Sequence, residues 1–82
     1  MHSYDDILHW VINYFVYETM TSPEFFGKNT TFYEMGRDQY VDRLLLVIAI
    51  ESEYDVSIQD DEFDAWKTLD DVAKTIFKKE RK

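Results

Sequence analysis

Residues 36–58 read GRDQYVDRLLLVIAIESEYDVSI, and the steps of three and four between apolar residues predict a helix from about Asp38 to about Glu53. Val41, Leu44, Val47, Ile50 and Tyr54 form one stripe, which is expected to face a core. Leu45, Ile48 and Ser52 form a second file on a different face. A helix that is apolar on two faces is either deeply buried or carries an interaction surface. The stretch therefore points to a helical fold and to a surface that binds something.

Working outward, Ser3 followed by Asp6 resembles a capping box, and Ile7, Leu8, Val11, Ile12, Phe15 and Val16 continue at helical spacing. A first helix is expected from about residue 4 to 20. Thr21-Ser22-Pro23 offers a cap and a proline suited to a first helical position, and Gly27 is a stop, so PEFFG reads as one helical turn inside a long connection over 21–37. Val56-Ser57-Ile58 reads as an extended link. DDEFDAW predicts a short third helix whose leading carboxylates favour its N-terminal dipole. Thr68 with Asp71 is a second capping-box-like pair, followed by Leu69, Val72, Ala73 and Ile76 as the inward face of a fourth helix with a lysine-rich last turn. No convincing strand pair is present. The expected architecture is all-α, a single domain over residues 1–82: a four-helix bundle with a long first loop and a short third helix. Helix one is expected to pack on helices two and four, with the 21–37 loop across one end.

Eighty-two residues bury only roughly 60 % of the surface their unfolded chain exposes, so every apolar residue counts. There is no cysteine, which excludes disulfides, thiolate metal sites and cysteine nucleophiles and fits a cytoplasmic protein. No segment approaches a membrane span, and HSYDD at the start lacks the basic and apolar regions of a signal peptide. Seventeen acidic against nine basic residues give a net charge of −8, which argues against direct nucleic-acid binding and against anionic membranes. Between Glu34 and Asp71 twelve carboxylates face three cations, so basic protein surfaces are the expected partners. His2 and His9 lack metal-ligand spacing and read as exposed polar residues. Asp60, Asp61, Glu62 and Asp64 lack the glycine and terminal glutamate of a calcium loop and read as a solvated face. No metal site is expected. No nucleophile, base and orienting group stand in a recognisable arrangement, so no enzyme is expected.

LVIAIESEYDVSIQDDEFD resembles the acyl carrier protein family, whose second helix ends in a run of the type L-V-x-x-L-E-E-x-F followed by an extended D-x-x-I and an acidic third helix. Here those positions are Leu46, Val47, Ile50, Glu51, Ser52, Glu53, Tyr54, Asp55 and Ile58. Thr31-Phe32 is similar to the family's S-F before helix two, and Thr68-Leu69 to its T-V opening helix four. All lie in one gapless register, with about three extra residues in the first loop. The resemblance implies a carrier-type helical bundle, and it implies a phosphopantetheine acceptor serine, from a G-x-D-S-L motif, at the start of helix two. That register places Tyr40 at the serine, whereas counting from Gly36-Arg37-Asp38 places Gln39 there. Phosphopantetheinyl transfer needs an aliphatic hydroxyl; glutamine has none, and a phenol carries its oxygen several ångströms too far out. Ser3, Ser22, Ser52 and Ser57 all lie elsewhere. No cofactor is therefore expected.

The resemblance also implies a docking face. Asp42 and Glu51 match acidic docking positions of the family, Leu45 replaces another, and Arg43 adds a positive charge. Fourteen aromatic residues are many for this fold, and rings at Trp10, Tyr14, Phe15, Phe32, Phe63 and Trp66 would fill the space that opens for an acyl chain. The favoured expectation is a carrier-like protein that acts by protein–protein binding, as a regulatory or structural subunit or a carrier decoy. Its partner would present a basic and apolar docking surface to Tyr40, Asp42, Arg43, Leu45, Ile48, Glu51 and Glu53, and a homo-oligomer through helix two is compatible with the same pattern. Two alternatives stand beside it: an atypical carrier of fatty-acid or polyketide-type synthesis, and an acidic nucleic-acid mimic that blocks a basic protein.

Overall fold

A computed structural model describes residues 1–81. Helix α1 (Tyr4–Thr19) begins where Ser3 Oγ accepts the Asp6 amide at 3.1 Å, and it ends as Met20 turns into the left-handed region at φ 57°. The cap satisfies one otherwise orphaned amide, and Asp5 and Asp6 sit against the positive end of the helix dipole. Pro23–Phe25 forms a single 3-10 turn, closed by the Phe26 amide on the Pro23 carbonyl at 3.1 Å. Helix α2 spans Tyr40–Tyr54, starting two residues later than the spacing predicts. Gln39 is its N-cap, and the Gln39 amide donates to Asp42 Oδ2 at 3.2 Å. Asp55, at φ 53°, reverses the chain, and α3 (Asp60–Asp64) follows, with the Gln59 amide donating to Glu62 Oε1 at 2.8 Å. Helix α4 (Leu69–Glu80) carries the expected capping box: Thr68 Oγ1 accepts the Asp71 amide, and Asp71 Oδ2 accepts the Thr68 amide.

The four helices form a small bundle, and among the described residues no strand occurs. The long loop is nonetheless stitched to the start of α4 by backbone bonds. Thr31 and Thr68 form an isolated antiparallel bridge, with Phe32 N donating to Lys67 O and Leu69 N to Thr30 O, both at 3.1 Å. Asp70 N adds a bond to Lys28 O at 2.8 Å. These bonds carry Phe32 into the centre of the molecule. Gly36, at φ 69°, then turns the loop toward α2, a conformation that costs a residue with a Cβ about 1 kcal/mol.

Helix α1 lies closest along α4, burying Ile7 and Val11 against a face on which Leu69, Val72, Ala73 and Ile76 have no exposed surface. The start of α1 is tied to both ends of α4: the Tyr4 hydroxyl bonds the Asp70 carboxylate, and His2, just before the helix, meets the Glu80 carboxylate with its amide and Nδ1, both at 2.9 Å. Helix α1 meets α2 through long side chains: Trp10 packs edge-on against Tyr54 at 5.4 Å between ring centroids. The centre is filled by rings that touch in series: Phe15 on Phe32, Phe32 on Trp66, Trp66 on Phe63, with centroids 5.7–6.5 Å apart. The Trp66 indole N–H finds Thr75 Oγ1 at 2.9 Å, which removes the penalty of burying a donor.

Candidate functional site: the solvent face of the second helix

Helix α2 contains two rows with identical steps of four, three and four. Arg43, Val47, Ile50 and Tyr54 form one; Val41, Leu45, Ile48 and Ser52 form the other, two residues behind. At about 100° per residue, a two-residue offset turns the second row through about 200°, so the rows lie on opposite sides of the helix. The first row is the inward one: Val47, Ile50 and Tyr54 are buried with Leu46. The second faces solvent, with Val41 56 %, Leu45 48 % and Ile48 57 % exposed.

This corrects two expectations. The spacing assigns Val41 and Leu44 to the core, yet Val41 stands out in solvent and Leu44 is 37 % exposed at its edge. Arg43 is expected in the charged rim, yet its side chain is turned inward and only 12 % exposed. Its guanidinium lies over the Phe32 ring, 4.6 Å from the centroid, and donates to the carbonyls of Phe63 at 2.9 Å and Trp66 at 2.5 Å and to Asp38 Oδ1 at 2.7 Å. A planar fork with five donors suits this position because the chain leaves α3 here and presents the Phe63 and Trp66 carbonyls side by side, each with a lone pair to spare. The charge is thus spent inside the protein.

Leu45 and Ile48 lie where the sequence places them, on a face the core leaves behind. Asp42 and Glu51 flank that face, and both carboxylates bond to their own backbone: Asp42 accepts the Gln39 amide, and Glu51 Oε2 accepts the Ile58 amide at 2.9 Å. Glu53 is exposed on the Asp42 side. Tyr40 opens the helix, is 57 % exposed, and rests its ring 5.7 Å from that of Phe63, bridging α2 to α3. Tyr40, Val41, Leu44, Leu45 and Ile48 therefore make one apolar surface along the outside of α2.

Gln39 and Tyr40, the two residues that alternative registers put at the acceptor position, are respectively the cap and the first residue of α2. Neither offers an aliphatic hydroxyl at that point. Phe15, Phe32, Phe63 and Trp66 are each 2 % exposed or less, so the middle of the bundle is occupied by interlocked rings, and Tyr40 on Phe63 caps the side between α2 and α3.

A feature without sequence signal is an open cleft of about 480 Å³ beside the start of α2, between the first loop and the link after α3. Asp38, Asp64 and Lys67 line it together with the exposed Tyr33 and with Trp66. Its walls come from three separate segments, which is why spacing along the chain does not reveal it. On the other flank, burial raises the Tyr14 hydroxyl's pKa, with the negative charges of Glu18 and Asp42 adding to it. Tyr14 itself stacks on Trp10. Among the described residues no three His, Asp or Glu side chains converge into a set that could hold a metal ion, and no helix is long and apolar enough to cross a membrane. No protein-family model matches the chain, and no curated protein matches it.

Proposed function

We propose that this protein is an acyl-carrier-like bundle that works without a phosphopantetheine arm, by binding another protein through the outside of α2. The observation that carries the reading is the row Val41, Leu45 and Ile48, about half exposed, on the side of α2 opposite the core. Such a row contributes nothing to folding and lowers solubility, whereas contiguous exposed apolar surface is characteristic of interaction sites. The partner is expected to cover this row with an apolar patch and to place cations toward the exposed carboxylates Glu53 in α2, Asp55 just after it, and Asp60 and Asp61 at the start of α3.

The missing arm is supported by Gln39 and Tyr40 at the start of α2, and the ring-filled centre disfavours sequestration of an acyl chain. Capture from the native cell with the wild-type chain and with Leu45→Glu tests the binding reading: partners retained by the first should be lost by the second, with a penalty on the order of 1–3 kcal/mol. Equal capture by both sinks it. Intact mass after incubation with coenzyme A and a phosphopantetheinyl transferase tests the second half. An adduct on the wild-type chain, at any residue, would make the protein a carrier after all. Tyr40→Ser is the variant that reports on register, with Gln39→Ser as its one-residue control.

A further inference from the structure

We infer that, without a partner, the outside of α2 pairs with the same face of a second copy as a weak antiparallel dimer; this rests on the proposal that α2 is an interaction face and names one occupant for it. The spacing is the first argument. Val41, Leu45, Ile48 and Ser52 are separated by four, three and four residues, the steps at which a helix presents knobs to a neighbouring helix. The series reads the same in both directions about its midpoint between Leu46 and Val47. A two-fold axis through that midpoint sets Leu45 against Ile48 of the other copy and Val41 against Ser52, twice each, as an isologous contact requires.

Charge is the second argument. A net charge of −8 opposes self-association at long range, so the local pattern must permit it. Arg43 points inward and offers nothing to the face. Asp42 and Glu51 lie on opposite edges of the row, and their carboxylates accept the Gln39 and Ile58 amides of their own chain. In the antiparallel pairing each edge meets the same edge of the other copy: Asp42 comes beside Ala49 and Glu53, a like-charge rim contact that weakens the pair, and Glu51 comes beside Leu44. Asp42 and Glu51 are thus kept apart from each other across the interface. The antiparallel sense also sets the C-terminal end of α2, where Glu51, Glu53 and Asp55 gather, beside the positive dipole end of its neighbour; a parallel pair would bring those ends together. A seam of about four positions on one helix is short, so the interface falls below the size of stable dimers and the complex is concentration-dependent.

Sedimentation of the full chain from about 5 µM to about 1 mM tests this, with dissociation expected on the order of 100 µM. Raising the salt should tighten the dimer, because screening weakens the repulsion between two acidic chains while leaving the apolar contact intact. Leu45→Glu and Ile48→Glu should each leave a folded monomer by circular dichroism. Because the chain has no cysteine, Val41→Cys and Ser52→Cys report the geometry directly. An equimolar mixture of the two variants under mild oxidation should give the mixed disulfide well ahead of either symmetric one. A monomer at every concentration and salt overturns the dimer, while partner capture that is sensitive to Leu45→Glu would still stand by itself. A dimer that survives Leu45→Glu, or one in which two copies of the Val41→Cys variant oxidise together fastest, overturns the assigned face or its antiparallel sense.

Discussion

Replacing Arg43 by methionine separates an inward from an outward role for the charge. Methionine keeps an unbranched apolar stem that still covers Phe32, but it removes every donor that now reaches the Phe63 and Trp66 carbonyls and Asp38. A hydrogen bond from a charged donor is worth about 1.5–3 kcal/mol net, so the two carbonyl bonds at the low end contribute about 3 kcal/mol. The pair with Asp38 adds little, since the aspartate side chain is 49 % exposed and solvent screens it. The contact with the Phe32 face is worth about 1 kcal/mol, part of which the thioether retains. A total near 3 kcal/mol is a large share of the stability of an 82-residue domain. It corresponds to a fall in Tm of about 12–24 °C. Urea unfolding followed by the fluorescence of the two tryptophans reads it, with Arg43→Lys as an intermediate case because an ammonium cannot span the same acceptors. A loss below about 0.5 kcal/mol, or a defect confined to partner capture, would mean that the side chain faces outward, and the inward assignment would fail.

Leu45→Glu should change stability by no more than about 0.5 kcal/mol, since the residue is half exposed; unfolding of that variant would place it in the core and remove the docking face. Thr75→Val should cost about 1–3 kcal/mol by leaving the buried Trp66 indole N–H without an acceptor, and a shift in tryptophan emission should accompany the loss. Tyr4→Phe should cost about 1 kcal/mol at neutral pH. The Tyr4 hydroxyl, helped by Lys74, holds the Asp70 carboxyl below its ordinary value. A depressed carboxyl contributes stability that is present above its unfolded pKa of about 3.9 and is lost as the pH falls through the lower folded value. The gap between Tyr4→Phe and wild type should therefore narrow on acidification, and a gap that widens would reverse the assignment. Tyr4's own pKa is pushed up to about 12, by burial first and then by Asp70, so its phenol should not titrate below the alkaline transition.

The elements that depend on neighbours in the chain were legible in the sequence. Ser3 with Asp6 and Thr68 with Asp71 cap α1 and α4 through atoms three residues apart, and the apolar residues of α4 fall on one side only, so its buried face admits one reading. The all-helical class, the four helices and the short third one follow from such local signals. The exposed Leu45 and Ile48 were also legible, because any core face of α2 that includes Val47 and Ile50 leaves them outside.

Only the tertiary structure decided how the inward face of α2 begins. Hydrophobic periodicity finds Val47, Ile50 and Tyr54, which are buried, but it starts the stripe with Val41 and Leu44, whereas the inward row begins with an arginine. The choice is made by partners far along the chain: the Phe63 carbonyl in α3, the Trp66 carbonyl just after it and the Phe32 ring, which together give the Arg43 guanidinium a satisfied inward site. Phe32 is there because Thr30 and Phe32 bond to Leu69 and Lys67, more than thirty residues away. Pairing at that distance depends on how the whole chain closes, and no local pattern of residue types encodes it. The solvent face of α2, and with it the candidate site, is what that closure leaves uncovered.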